Sequence, residues 1–167
     1  KEGMTVAMSG YAMAGDPKAI PEQLVRRKNK ELKLAINLIT GANVPWLDDL
    51  LGSSEIIAER VPMSASRALS SQVNSGKVRY VEQQMCKMPR LLRSRSFGKI
   101  DVLVVEALAV TEEGIVPTTS VGLTHFLMDQ ANEIIVEVNS AQPEILFGMH
   151  DVFIQKPAPT TEPIPLT

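Results

Sequence analysis

Residues 100–110, IDVLVVEALAV, place the strongest constraint on how this chain can fold. Nearly every residue in this segment is apolar and several are β-branched, which is typical of a strand that is buried on both faces. Strands of this kind belong to sheets that carry helices on both sides. The segment therefore predicts an α/β domain.

The rest of the chain alternates short apolar runs with amphipathic segments. The apolar runs predict further strands at 4–8, 34–40, 56–61, 78–81 and 134–139, and the first, second and last of these read as buried. The amphipathic segments predict helices at 19–30, 46–52, 64–76, 82–95 and 120–133, the third with Ser64 or Ser66 as N-cap. A glycine turn at 111–118 predicts a small hairpin. This alternation favours an open, mostly parallel sheet with flanking helices.

The two ends of the chain bear on its organisation. The sequence begins at Lys1 rather than at a methionine, and its last residues, QKPAPTTEPIPLT, include four prolines. Proline-rich segments are extended and pack poorly. We therefore predict one folded domain at residues 1–150 and an extended linker at 151–167, within a longer polypeptide.

Composition narrows the classes of function. With 167 residues, 44% of them hydrophobic and 22% charged, the chain can bury a core of its own. The net charge of −2 is dispersed, so we expect neither nucleic acid nor a membrane surface as a partner. The sequence has no long apolar run and no signal-peptide pattern, which predicts a cytoplasmic protein.

Residues that bind metals are scarce in this sequence. Cys86 is the only cysteine, which excludes an internal disulfide and a cysteine-rich zinc site, and we expect its thiol to be semi-buried rather than reactive. His125 and His150 lack a second ligand type at metal-binding spacing. Neither a metal nor a permanently bound cofactor is predicted.

Small residues and glycines recur directly after the predicted strands. In an open α/β sheet, ligands bind beyond the carboxyl ends of the strands, and glycine lets the backbone approach a ligand closely. Backbone N–H groups at the start of a following helix favour phosphate or carboxylate. The residues at these positions are Ser9, Gly10, Ala14, Gly15, Asp16, Thr40, Gly41, Ala42, Asn43, Glu106, Ala107 and Asn139.

Taken one by one, these signals are ambiguous. Gly10 and Gly15 match neither the dinucleotide fingerprint nor a P-loop, so spacing alone favours a structural turn over a ligand loop. Glu106 is either a desolvated general base or nucleophile or, as is commoner, a strand-end carboxylate bonded to backbone. Glu112 and Glu113 fit a solvated turn better than a catalytic pair.

Six segments of this chain are similar to segments of a known family and stand in the same order as in that family: GMTVAMSGYAMAGDPKAIP, INLITGAN, GKVRYVEQQM, GKIDVLVVEALAVTEEGIVPTTSVG, IIVEVNSAQPEILFGMHDVF and PIPLT. In that order they resemble the amino-terminal half of the acetyl-CoA hydrolase/transferase family. That family includes succinyl-CoA:acetate, propionyl-CoA:succinate and 4-hydroxybutyrate CoA-transferases. The resemblance covers nearly the whole chain and is specific for the family, but not for the acyl substrate.

The resemblance implies a class I CoA-transferase built from two related α/β halves. In that family a glutamate attacks the acyl-CoA thioester and forms an acyl anhydride. A glutamyl-CoA thioester forms next, and a second carboxylate then reacts with this thioester. This glutamate belongs to the carboxyl-terminal half, so no catalytic residue is predicted here, and neither Glu106 nor Glu112 takes its place. Coenzyme A is implied as a substrate. The implied partners are a small carboxylate, the carboxyl-terminal half and a second copy in a homodimer.

Carried over residue by residue, the resemblance places three loops in a cleft that faces the other half. Their matching residues are Ser9, Gly10, Ala14, Gly15, Lys18, Gly41, Ala42, Asn43, Ser120, Val121 and Gly122. Asn43 stands where the family commonly has serine and is still a short polar group. After Gly122 the family usually continues with Asn-Ser, whereas this chain has Leu123 and Thr124, which removes an amide.

With this resemblance, residues 9–21 read as a cleft-lining loop rather than as a turn. Two other functions stay open. An acetyl-CoA hydrolase of the same family differs only in letting water resolve the intermediate. A non-catalytic α/β interaction domain applies if these residues are the entire mature protein.

Overall fold

The computed structural model describes residues 2–30, 33–64 and 66–150, together with Val152, Lys156 and Pro163. The predicted linker at 151–167 lies almost entirely outside the described residues. Strands and helices alternate through most of the described part of the chain, with one 3-10 turn at Met85–Lys87 and another at Glu144–Leu146. The elements are β1 (Thr5–Met8), α1 (Ala19–Lys28), β2 (Ile36–Thr40), α2 (Pro45–Ser53), β3 (Ile57–Val61), α3 (Arg67–Asn74), β4 (Arg79–Tyr80), α4 (Met88–Arg93), β5 (Ile100–Thr111), β6 (Gly114–Pro117), α5 (Thr124–Met128) and β7 (Ala131–Val138).

The sheet is open and mostly parallel, as predicted. Its strands run in the order β4-β3-β2-β1-β5, and all of these neighbours are parallel. β5 pairs with β1 at residues 102–104, with β7 in parallel at 100–107, and with β6 in antiparallel fashion at 107–111. The β5–β6 pairing is the predicted hairpin, and β5 is the long apolar segment that dominates the sequence.

Helices cover both faces of the sheet. Successive residues of β5 point to opposite sides, so this strand contacts helices on both faces. Val104 packs with α2 and α3 on one face, whereas Leu103 and Val105 pack with α4 and α5 on the other. The burial of β5 on both faces is thus confirmed. Within the described residues, no helix has the length and hydropathy needed to span a membrane.

Local signals account for two helix boundaries. Ser66, rather than Ser64, caps α3, and its Oγ accepts a hydrogen bond of 3.2 Å from the N–H of Leu69. The last turn of α1 carries basic residues, which interact favourably with the negative end of the helix dipole.

Three predictions were wrong in detail. β7 begins at Ala131 and is an edge strand, with Ile134 and Ile135 exposed by 41% and 38%, whereas the apolar run at 134–139 predicted a buried strand. The helix predicted at 120–133 is reduced to α5, because residues before it form a loop and residues after it join β7. Cys86 is exposed rather than semi-buried. In each case neighbours distant in sequence decide the burial or the boundary.

Candidate functional site

Loops after β1, β2 and β6 meet beyond the carboxyl ends of the central strands, and Ser9 ties the first of them together. The Ser9 side chain is buried, donates a hydrogen bond of 2.7 Å from Oγ to the carbonyl of Gly15, and accepts one of 3.0 Å from the N–H of Glu106. The N–H of Ser9 donates to the carbonyl of Val104. The hydroxyl therefore joins both ends of its loop to β5.

Glycines let the three loops pack against one another. A Cβ on Gly41 would collide with the carbonyl oxygen of Gly10, and a Cβ on Gly15 would lie 3.0 Å from the carbonyl oxygen of Ser120. Gly10 and Gly15 also have φ angles of +115° and +69°, which favour glycine. The structure thus shows close approach of loop to loop, while close approach to a substrate stays a prediction.

Asp16 is a buried carboxylate with two different partners. Its side chain is almost fully shielded from solvent and accepts a hydrogen bond from the indole N–H of Trp46. The ammonium group of Lys18 lies 3.6 Å from Asp16 Oδ2 and donates a hydrogen bond of 2.6 Å to the Asp16 carbonyl. Lys18 is half-exposed, so this ion pair reaches the surface.

Glu106 lies inside β5, and side chains from other elements surround its carboxylate. Thr118 donates to Oε2 at 2.9 Å and Asn139 donates to Oε1 at 2.5 Å. The Lys18 ammonium lies 3.5 Å from Oε1. The prediction that Glu106 bonds to backbone was wrong for its side chain, because Thr118 and Asn139 provide the donors after β6 and β7.

Glu137 occupies the amino terminus of α1. Its carboxylate accepts hydrogen bonds of 2.7, 2.9 and 2.6 Å from the N–H groups of Lys18, Ala19 and Ile20. These N–H groups are the ones that a helix leaves without partners in its first turn. A helix start that we expected to attract an external phosphate or carboxylate is therefore filled by a carboxylate of the chain itself.

A small cavity opens at this edge of the sheet, between β5, β7 and the start of α1. It measures about 260 Å³ and is lined by Lys18, Ala19, Glu106, Glu137, Val138, Asn139, Ser140 and Ala141. Its charged groups are two carboxylates and the Lys18 ammonium. The cavity is thus a recess with charged groups in its lining, on the side where open α/β sheets bind ligands.

The residues predicted for the cleft are brought together by their backbones. Ser9, Gly10, Gly15, Gly41 and Ala42 are buried within the packed loops, and Ala14 exchanges hydrogen bonds of 2.9 and 3.1 Å with Tyr11. Asn43, Ser120 and Val121 are half-buried, while Lys18 and Gly122 are exposed. Leu123, which replaces the family's usual asparagine, packs in the core below the loop.

Glu137 is the part of the site that the sequence did not identify, whereas Asn139 was already named as the residue after the last predicted strand. Both lie at the carboxyl end of β7, two residues apart, where alternation places them on the same face of the strand. Two polar residues in an otherwise apolar run were the signal that could have identified them. Their position beside Glu106 follows only from the register of β5 and β7, in which Glu106 lies beside Glu137.

A second buried charge pair lies outside the cavity. Arg60 of β3 donates from Nε to Asp48 Oδ1 of α2 at 2.7 Å, and both side chains are fully buried. The same guanidinium donates to the carbonyls of Val61 at 2.6 Å and Ala42 at 3.3 Å. Arg60 thereby fixes the loop after β2.

The histidines do not join the site. In α5, burial lowers the pKa of His125 and the nearby Arg93 lowers it further, while Asp129 has the opposite effect. His125 Nδ1 is buried without a hydrogen-bond partner. Among the residues that the structure describes, no three His, Cys, Asp or Glu side chains are grouped as a metal site would require.

Comparison with known proteins shows one family. Residues 1–160 match the family model for the acetyl-CoA hydrolase/transferase N-terminal domain. The chain is 34% identical to the succinyl-CoA:acetate CoA-transferase of Clostridium kluyveri over 99% of its own length and 31% of the relative. It is 32% identical to the acetyl-CoA hydrolase of Kluyveromyces lactis, with coverage of 100% and 34%. For the propanoyl-CoA:succinate CoA transferase of Escherichia coli the identity is 32%, with coverage of 89% and 32%.

Solved structures support the fold. RipA from Yersinia pestis superposes with a TM-score of 0.65 at 19% identity, covering 85% of this chain and 34% of that one. The decarboxylase AibA/AibB gives a TM-score of 0.61 at 14% identity, with coverage of 87% and 75%. The chain spans about a third of the length of the curated relatives it matches.

Proposed function

The chain belongs to the acetyl-CoA hydrolase/transferase family, of which it forms the amino-terminal domain, and we propose that the full-length protein transfers coenzyme A between a short acyl-CoA and a small carboxylate. The match of residues 1–160 to the family model carries this proposal. Relatives named for transfer to acetate and to succinate support a small carboxylate as the acceptor.

The proposed reaction uses a glutamate of the carboxyl-terminal half as a covalent carrier. Its carboxylate attacks the thioester carbonyl, the CoA thiolate leaves, and an acyl–glutamyl anhydride forms. The thiolate then attacks the glutamyl carbonyl, which releases the first acyl group as a carboxylate and leaves a glutamyl-CoA thioester. The acceptor carboxylate passes through the same two steps in reverse. Splitting the transfer in this way lowers the barrier of each step.

This domain supplies the opposite wall of the cleft. We assign to that wall the loops with Ser9, Gly10, Ala14 and Gly15, with Gly41, Ala42 and Asn43, and with Ser120, Val121 and Gly122, together with Lys18. Their packing beyond the carboxyl ends of β1, β2 and β6 supports this assignment, because substrates of open α/β domains bind there. Most of the wall is backbone, so it shapes the acyl pocket rather than performing chemistry.

The exposed edge at β7 is assigned to the carboxyl-terminal part of the full-length polypeptide. Most exposed large hydrophobic residues in the described ranges belong to β7 and the segment after it: Ile134, Ile135, Val138, Ile145, Phe147, Met149 and Val152. Exposed apolar residues concentrated in one segment are often covered by a partner. Because the relatives are about three times as long, the same polypeptide can supply that partner. A homodimer, which the family resemblance implies, and a cytoplasmic location, which the sequence pattern predicts, complete the proposal.

Acyl exchange by the purified full-length protein tests the proposal. Acetyl-CoA, propionyl-CoA or succinyl-CoA is incubated with acetate, propionate or succinate, and new thioesters are measured by mass spectrometry. We expect a new acyl-CoA in at least one pairing. A folded protein that exchanges no pairing would contradict transfer.

The same assay separates the hydrolase. The relatives named as acetyl-CoA hydrolases favour it as the second candidate. Free CoA that accumulates at the same rate with and without added carboxylate would identify water as the acceptor.

A further inference from the structure

Glu106 has no catalytic part in the proposed reaction, yet it is the carboxylate around which the cavity is built. Only 4% of its side chain is exposed, and it lies in the most apolar strand of the sheet. We infer that Glu106 is a positioning residue, which holds the cleft wall in the shape that the carboxylate substrate requires. This inference rests on the proposed function.

The contacts of Glu106 connect the segments that follow β6 and β7. Thr118 follows β6 and leads into the loop with Ser120 and Gly122. Asn139 follows β7, and its amide is oriented by a hydrogen bond of 3.1 Å that its Oδ1 accepts from the N–H of Ala141. One carboxylate thereby fixes the third cleft loop against the end of β7.

The same residue also reaches the first cleft loop. The N–H of Glu106 donates to Ser9 Oγ, and Ser9 donates to the Gly15 carbonyl at the far end of that loop. Lys18, 3.5 Å from Glu106 and 3.6 Å from Asp16, extends the network to the start of α1. The contact with Ser9 uses the backbone of Glu106, whereas the carboxylate reaches the first loop through Lys18 and Asp16 and the third loop through Thr118.

Stability alone does not account for a carboxylate at this position. Taking a charge out of water is costly, and an apolar side chain of similar size is often as stabilising or more so. Val104, which lies two residues before Glu106 on the same face of β5, shows that an apolar side chain is accepted beside it. A buried carboxylate that accepts a hydrogen bond at each oxygen gains directional contacts, which are what a cleft wall needs.

Lys18 links this network to the substrate. It is the exposed member, with 55% of its side chain accessible, and it lines the cavity. Asp16 and Glu106 hold its ammonium in place, so the orientation in which Lys18 meets an incoming carboxylate depends on Glu106. The acceptor carboxylate, rather than the CoA portion of the thioester, is the substrate that should sense a change at Glu106.

Substitution Glu106→Gln in the full-length protein tests the inference. It keeps the size of the side chain but removes its charge and one acceptor oxygen. We expect the KM for the carboxylate acceptor to rise about tenfold, the equivalent of about 1.4 kcal/mol, and the KM for the acyl-CoA to change less than about twofold. Thr118→Val, which removes one donor at nearly constant volume, should act in the same direction if Glu106→Gln does not fold. Glu113→Gln, an exposed change in the β5–β6 turn, serves as the control.

Three outcomes would overturn the inference. Both variants could leave the two KM values unchanged, or raise both in parallel. Both could also lower only the melting temperature, which indicates a purely structural role.

If the unaltered protein exchanges no acyl group, the proposed function fails. The positioning role of Glu106 is then tested by comparing amide hydrogen exchange in the unaltered protein and in Glu106→Gln. Faster exchange of the Tyr11 and Ala14 amides in Glu106→Gln would then support the positioning role, and unchanged exchange would overturn it.

Discussion

Two buried carboxylates of this domain have basic partners, but their surroundings differ. Asp48 and Arg60 are both fully buried, and the guanidinium also donates to two carbonyls. Glu106 is equally well shielded, but its cation, Lys18, is half-exposed and also faces Asp16. The first is a closed pair between a strand and a helix, whereas the second opens into a cavity.

The difference separates a structural ion pair from a candidate site. In the Asp48–Arg60 pair each charge is matched and no group is left for a ligand. Around Lys18, the carboxylates of Asp16 and Glu106 face one ammonium, and that ammonium is accessible to solvent. Buried charge by itself is therefore a poor guide to function, and solvent access of one partner is the informative feature.

The largest effect is expected from breaking the closed pair. Asp48→Ala leaves the Arg60 guanidinium buried without its counter-ion, and we expect a loss of about 3–5 kcal/mol in the free energy of unfolding. Urea denaturation measures it, with the exposed neighbour Asp49→Ala as the matched control. A loss no greater than that of the control would show that water reaches the Asp48–Arg60 pair in solution.

The next largest effect concerns the packed loops of the open region. Gly41→Ala places a Cβ against the carbonyl oxygen of Gly10, and overpacking of this kind costs about 1–3 kcal/mol. Gly52→Ala is the milder comparison, because its Cβ would lie 3.2 Å from Leu69 Cβ and 3.3 Å from the Leu69 backbone nitrogen, without the collision expected at Gly41, and because alanine favours the helix there. Equal stability of the two variants would mean that the loops separate easily.

A smaller effect is expected at the helix start. Glu137→Gln removes the charge that caps α1 and should lower the free energy of unfolding by about 1 kcal/mol. Glu133→Gln, an exposed change in the same strand, should have almost no effect. High salt should reduce the difference between the two variants, and a salt-independent difference would argue against an electrostatic cap.

The smallest effect is expected from His125, outside both regions. Its lowered pKa means that the folded domain binds fewer protons there than the unfolded chain does. Stability should therefore decrease as the pH falls through the ordinary histidine range and below it. His125→Gln should flatten the decrease in melting temperature between pH 7 and pH 5. An unchanged pH profile would assign the decrease to carboxylates instead.

The sequence predicted the fold better than the site. The strand at 100–110 and the segments that resemble the family implied a parallel sheet with helices on both faces. Apolar runs and loop sequences are local properties, so they can be recognised without knowing which elements pack together. The exposure of β7 could not be predicted, since it depends on which elements cover the edge. Glu106 was noticed, but its partners Thr118 and Asn139 follow other strands and only the sheet register brings them together.

The contact between Glu137 and the start of α1 bears on when the domain can finish folding. The two groups are 119 residues apart, so the first helix receives its cap from the last strand. During synthesis from the amino terminus, α1 leaves the ribosome long before β7 exists. We therefore expect its first turn to fray until almost the whole domain has emerged, which makes protection of the Ala19 and Ile20 amides a late marker of folding.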